Sequence, residues 1–219
     1  MKTNITELVF ILDKSGSMAG LESDTIGGFN AMLKKQQGEP GEAYVTTVLF
    51  DDKYQVLHDR IDIRGIRPIT DEDYFVEGST ALLDAIGKTI LKAVNVQRHT
   101  EEKLRADKVL FVITTDGMEN ASREYTCEKI SEMVKVQTEK YGWEFLFLGA
   151  NIDAVASAGR FGIAAERSAN YHADSKGTLL NYEVVGRAVS ELRASMSLPD
   201  DWKAEIDQDF ARRGKKGKG

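Results

Sequence analysis

The sequence predicts an α/β fold: a doubly wound, mostly parallel central sheet with one antiparallel edge strand and helices on both faces. Three observations lead there. Residues 8–12, 109–113 and 145–148 are short, continuous apolar runs bounded by polar residues or glycine, the pattern of strands buried on both faces of a parallel sheet. Segments with apolar residues at helical spacing lie between such runs, so strand and helix alternate along the chain. Residues 56–63 read Val-Leu-His-Asp-Arg-Ile-Asp-Ile, apolar at the ends and polar in the middle, which suits an edge strand.

The first run ends at Asp13. Ile26, Phe29, Met32 and Leu33 then mark a helix, and residues 44–50, rich in Val and Thr, a second strand. The tight Asp51-Asp52-Lys53 turn joins it to the edge strand. Leu82, Ala85, Ile86, Ile90 and Ala93 form the apolar face of the next helix, ahead of strand 109–113. Ile130, Met133, Val134 and Gln137 do the same ahead of 145–148. A further helix is expected after Asn151, and a long last one through Leu180, Val184, Val185, Ala188, Leu192 and Met196, before Pro199. Residues 1–198 read as one domain, without internal repeat or long linker. Residues 199–219 read as a short helix and a basic, glycine-rich tail, 211–219, expected to be disordered and to aid solubility.

A domain of 219 residues buries about 70–75% of its unfolded surface, so no disulfide or structural metal is needed to hold it together. With 42% hydrophobic and 29% charged residues and only 3 Pro, neither a disordered nor a fibrous class fits. The net charge of −6 argues against nucleic-acid binding, which demands a dense basic surface. The lone Cys127 excludes an intramolecular disulfide framework and a paired-cysteine zinc site. The first apolar run is cut short by Asp13, unlike a signal-peptide core, and no apolar stretch approaches the ~20 residues of a membrane span. The expectation is a cytoplasmic protein with no membrane partner.

In open α/β sheets, ligands bind beyond the carboxyl ends of strands where the strand order reverses. Asp13 ends the first strand and Asp116 lies just past 109–113, so neighbouring strands would bring both carboxylates to one crevice. Ser15 and Ser17 alternate around Gly16, and Thr80 closes the turn Glu77-Gly78-Ser79-Thr80. Two carboxylates side by side repel and raise each other's pKa, a difficulty that a divalent cation removes. Mg²⁺ favours a few carboxylates and hydroxyls completed by water; Mn²⁺ or Ca²⁺ are the alternatives. With only two charged ligands the ion stays electrophilic and can accept a carboxylate from outside. Helix N-termini near the site are expected to favour negative charge.

Asp13-x-Ser15-x-Ser17, the Gly78-Ser79-Thr80 turn and Thr115-Asp116-Gly117 at a strand end, in that order, resemble the metal-ion-dependent adhesion site (MIDAS) of the von Willebrand factor A family. All the motif positions match, and the order of elements resembles the family over residues 5–196. The resemblance implies that Ser15, Ser17 and Thr80 contact the metal, with Asp13 and Asp116 acting directly or through water, and that 56–63 is the lone antiparallel strand. It implies a metal-dependent protein-binding module rather than an enzyme, capturing a Glu or Asp of a partner protein. An AAA+ ATPase or a stress or metal-resistance complex is the kind of partner that bacterial-type members suggest. It further implies that engagement of Thr80 with the ion can couple to movement of the last helix.

Other readings compete. The Asp, Ser and Thr residues could merely cap helices and turns, which leaves their convergence from separate loops unexplained. A dehalogenase-type phosphotransferase places Asp at its first strand end but wants a second Asp where this chain has Ser15. A metal-dependent hydrolase or phosphotransferase in the same crevice is the main alternative, and it lacks a visible base or nucleophile beyond the metal ligands. Gly87-Lys88-Thr89 imitates the end of a phosphate loop, but Leu82 occupies the position of the upstream glycine, so helix surface is expected. His58, His99 and His172 have no neighbour at ligand spacing and read as surface or edge residues. Cys127 reads as a small packing residue.

Overall fold

The computed structural model describes residues 4–214. The elements alternate as expected: β1 (Ile5–Asp13), α1 (Glu22–Gln37), β2 (Glu42–Phe50), β3 (Tyr54–Asp62), α2 (Leu82–His99), β4 (Lys108–Thr115), α3 (Cys127–Tyr141), β5 (Glu144–Ala150), α4 (Ala154–Arg160), β6 (Ser168–Tyr171), α5 (Ser175–Ser195) and α6 (Ala204–Gly214). The six strands form one sheet in the order β3-β2-β1-β4-β5-β6. Neighbours pair in parallel except β3, which runs antiparallel to β2 at the edge.

The continuous apolar runs exist because β1, β4 and β5 are covered on both faces. Successive side chains of β1 alternate between two cores. Leu8, Phe10 and Leu12 pack with Phe29 and Met32 of α1 and Val185 and Val189 of α5; Val9 and Ile11 pack with Ile86 and Ile90 of α2 and Ile130 and Val134 of α3. The α1–α5 contact is close: a Cβ on Gly28 would lie 2.4 Å from the Tyr182 ring. Arg193 of α5 then crosses to the end of α1, where its guanidinium donates to the carbonyls of Gln36 (2.6 Å) and Glu39 (3.2 Å), satisfying acceptors that a helix end leaves open.

Edge strand β3 is irregular. Its pairing with β2 shifts register between Val45 and Val48, and Arg60 sits at φ 50°, a bulge of the kind that keeps edges from pairing with other chains. His58 on this strand is not a surface group. It is buried, with Nδ1 3.0 Å from the Thr47 hydroxyl, and burial lowers its pKa.

Two features depart from the expectations. Strand β6 was not anticipated; it pairs with β5 and is only four residues long. The tail expected to be disordered is in part helix: residues 211–214 are the last turn of α6, and 215–219 lie outside the described residues. The indole of Trp202 donates to the Glu166 carbonyl at 2.9 Å, seating the segment before α6. Arg213 Nε donates to Asp209 at 2.7 Å, and Arg213 also pairs with Asp174, whose side chain caps the N-terminus of α5 through Gly177 N. Deleting residues 211–219 should therefore lower the Tm by about 3 °C or more. An unchanged Tm would mean that these ion pairs carry no stability.

Candidate metal centre

Strand β1 has β2 on one side and β4 on the other, so the crevice between the carboxyl ends of β1 and β4 is the switch point of the sheet. Asp13 is the last residue of β1, and Asp116 follows the last residue of β4. The Asp13 carboxylate is held on both oxygens, Oδ1 accepting from Ser15 N (2.7 Å) and Oδ2 from the Thr115 hydroxyl (2.5 Å). Its backbone carbonyl accepts from the Tyr74 hydroxyl. A line of oxygens continues across the crevice: Thr80 Oγ1 donates to Ser15 Oγ at 3.0 Å, Ser15 Oγ lies 3.2 Å from Ser17 Oγ, and Ser17 Oγ donates to Asp116 Oδ1 at 2.5 Å. Asp13, Ser15, Thr80 and Asp116 are buried, and Ser17 is exposed. The structure thus brings all the expected site residues together.

Three loops present these groups, and each is tied to another. The Asp13–Ser17 loop donates Gly16 N to Gly78 O (3.1 Å) and accepts Glu77 N at Lys14 O (3.0 Å). Gly78 adopts φ 69°, and a Cβ there would lie 2.4 Å from Asp52 Oδ1, so this turn requires glycine. The Thr80 loop is fastened to the loop after β4: Thr80 N donates to Asn120 Oδ1 (3.0 Å), and Thr80 O accepts from Asn120 N and Ala121 N. Glu119 accepts from Leu83 N (2.9 Å), Ala121 N and Ser122. The first N–H groups of α2 are therefore capped by this loop, the Glu119 carboxylate supplying negative charge of the kind a helix N-terminus favours.

Lys14 and Asp51 also belong to the site, and the sequence reading missed them by treating Lys14 as a spacer and Asp51 as a turn residue. Both side chains are buried, with Nζ 3.0 Å from Asp51 Oδ2 and 3.7 Å from Glu77 Oε1, and Nζ lies 4.4 Å from the centre of the Phe75 ring. Asp51 in turn accepts Lys53 N at Oδ1 and Ala81 N at its carbonyl. The pair links the end of β2 to the Asp13–Ser17 loop and to the Thr80 loop.

Burial pushes the Asp13 and Asp116 carboxyls above the usual 3.8, against the hydrogen bonds from Ser15, Thr115 and Ser17. A carboxyl that holds its proton more tightly folded than unfolded costs stability as the pH rises from about 3.8 through its raised value. A divalent cation fits this arrangement. Asp116 Oδ2 is buried with no hydrogen-bond partner among the described residues. Gly117 leaves a cradle, since a Cβ there would meet Ser17 Oγ at 2.9 Å and Thr80 Oγ1 at 3.4 Å. Among the described residues no group of three or more His, Cys, Asp or Glu could hold a metal, so an ion at this crevice depends on the hydroxyls. The cleft above it, about 510 Å³, is lined by Ser15, Ser17, Thr80, Asp116, Met118 and Asn151 among others. Asn151 sits at φ 55°, a left-handed conformation that asparagine tolerates.

The remaining candidates do not join the site. Gly87, Lys88 and Thr89 lie in α2 as expected, but Gly87 and Thr89 are buried rather than on the helix surface; a Cβ on Gly87 would meet the Tyr125 ring at 2.3 Å, and Lys88 pairs with Glu124. Cys127 opens α3 and packs at the edge of the core. His99 bonds the Asn95 carbonyl, and His172 stacks on Phe210.

Comparison with protein-family profiles and with curated proteins finds no match. Solved structures do match. Proximal thread matrix protein 1 from the mussel byssus, with a zinc-occupied MIDAS motif, is 14% identical with a TM-score of 0.58, over 86% of this chain and 46% of that one. The von Willebrand factor type A structure from Catenulispora acidiphila is 11% identical with a TM-score of 0.57, over 86% and 43%. The manganese-loaded TRAP protein of Plasmodium vivax is 17% identical with a TM-score of 0.55, over 82% and 73%. The chain spans about half the length of the first structures it matches, 46% of the mussel protein. At these identities the likeness is one of fold, and the fold is that of a von Willebrand factor type A domain. No helix among the described residues is long and apolar enough to cross a membrane.

Removing one partner of a buried ion pair strands the other charge. Lys14→Met should therefore lower the free energy of unfolding by about 3 kcal/mol, measured by urea denaturation. A loss below about 1 kcal/mol would show that Asp51 is satisfied by backbone N–H groups alone.

Proposed function

We propose that this chain is a metal-dependent protein-binding module that captures a Glu or Asp side chain of a partner protein through Mg²⁺ at Asp13, Ser15, Ser17, Thr80 and Asp116. The observation that carries the reading is the buried, unpartnered Oδ2 of Asp116 at the end of a continuous line of hydroxyl oxygens, at the foot of an open cleft. When bound, the ion supplies positive charge for an external carboxylate and offsets the cost of two buried, ionised carboxylates. Thr115 and Ser15 N orient Asp13, Asn120 fixes Thr80, and the exposed Met118 gives the cleft an apolar rim on which a partner can rest. The zinc-occupied mussel protein and the manganese-loaded Plasmodium protein support a divalent ion here.

Binding is preferred to hydrolysis or phosphotransfer because Glu119, the remaining carboxylate lining the cleft, spends both oxygens on backbone and Ser122 donors. A base engaged in this way is poorly placed to accept a substrate proton. A cytoplasmic setting suits the single Cys127, and an AAA+ ATPase or a stress or metal-resistance complex is the partner class we favour.

Titration calorimetry should find one Mg²⁺ or Mn²⁺ per chain, abolished in Asp13→Ala while circular dichroism shows the fold intact. Pull-down from the native host, with and without EDTA, should retain the partner only with metal. Thr80→Ala should then weaken the partner far more than Mg²⁺, because water can replace one neutral hydroxyl in an octahedral shell. Equal partner affinity of wild type and Thr80→Ala in saturating Mg²⁺ would remove the reading.

A further inference from the structure

Strands β4 and β5 run parallel, so their starting ends lie at the opposite end of the sheet from the metal crevice. There the end of α2, the end of α3 and the segments before β4 and β5 enclose a pocket of about 330 Å³ whose lining includes Gln97, Arg98, Arg105, Gln137, Tyr141 and Trp143. Its floor is apolar and aromatic. Trp143 is buried and its ring stacks on Phe111, centroids 5.7 Å apart, so the indole is fixed by the core rather than free to turn. Tyr141, more than half exposed, forms part of the wall.

The polar groups are all donors or amides. No carboxylate lines the pocket: of the acids around it, Glu7 accepts from Arg60 Nε and from Gln97 Nε2, Asp107 accepts from Ile5 N, and Glu101 pairs with Lys103. Arg105 is steadied by donating Nε to the Thr100 carbonyl at 2.8 Å, which leaves its terminal nitrogens for a ligand. Arg98 has no ion pair within 4.0 Å among the described residues. On a protein of net charge −6, two arginines over a rigid aromatic floor, without a matching acid in the lining, leave an unbalanced positive site. Guanidinium forks match carboxylate and phosphate bidentately and stack on flat rings, and a mostly apolar concavity with a few convergent polar groups is the form of a small-molecule site.

We propose that this pocket binds a small planar organic anion, an aromatic ring bearing a carboxylate or phosphate, with the ring against Trp143 and Tyr141 and the anion on Arg98 and Arg105. The site is independent of the metal crevice, and its occupancy neither requires nor tests the protein-binding reading.

The test is an NMR titration of the ¹⁵N-labelled full chain with benzoate and phenyl phosphate, following the indole N–H of Trp143 and the Nε–H groups of Arg98 and Arg105. Trp202, the other of the 2 tryptophans, packs at Glu166 and serves as the internal control. Saturable shifts at Trp143 and the arginines are expected with both probes, with Trp202 unmoved. The double variant Arg98→Ala/Arg105→Ala, altering two exposed side chains, should weaken binding by about tenfold or more. Cyclohexanecarboxylate, with the charge but no flat ring, and benzamide, with the ring but no charge, should each bind more weakly than benzoate. No Trp143 shift at millimolar probe, an undiminished affinity in the double variant, or equal binding of either control compound would overturn the proposal.

Discussion

The constraint on which this end of the molecule is built is the pairing of β1 with β4, which sets two buried carboxylates, Asp13 and Asp116, at adjacent strand ends. Both are buried, and burial raises the pKa of each. The surrounding loops supply compensation in the form of donors: Ser15 N and the Thr115 hydroxyl on Asp13, the Ser17 hydroxyl on Asp116. One oxygen, Oδ2 of Asp116, is left over. An orphaned buried acceptor of this kind is costly in a folded protein, and the line of three hydroxyls that runs to the other oxygen of the same carboxylate makes a cation the fitting partner.

The same pairing explains why the loops are held so firmly. Metal ligands from separate loops work as a set only if each loop is fixed within a fraction of an ångström. Here the Lys14–Asp51 pair joins the ends of β1 and β2, Gly16 N and Glu77 N bind the first loop to the second, and Asn120 binds the second to the third. Beneath them the two cores lock the sheet, with α1 and α5 brought close at Gly28 and fastened by Arg193. Rigidity at the crevice is thus continuous with the packing below.

Much of this was legible in the sequence because it rests on local patterns. Apolar runs gave β1, β4 and β5, the polar middle of 56–63 gave the edge strand, the rule that ligands gather at strand ends brought Asp13 and Asp116 together, and the resemblance to the adhesion-site motif added Ser15, Ser17 and Thr80 as metal contacts. What escaped depends on partners distant in the chain. Strand β6 is four residues long, Ser-Ala-Asn-Tyr, with too little apolar pattern to stand out, and it exists because β5 offers an edge and the C-terminal segment covers it. Arg212 and Arg213 look like part of a solvated tail until α6 brings them to Asp209 and Asp174. Lys14 and Asp51 are of types usually found outside, His58 of an intermediate type, and only tertiary packing shows all three buried.

The central claim is that the gathered oxygens form one cation site, and the most direct measurement removes none of those oxygens. In Gly117→Ala the added methyl would enter the cradle between Ser17 Oγ and Thr80 Oγ1. Calorimetric titration with Mg²⁺ should show affinity reduced by about tenfold or more relative to wild type, with the metal-free melting temperature unchanged. Wild-type Mg²⁺ affinity in that variant would contradict the account and place the ion elsewhere on the chain.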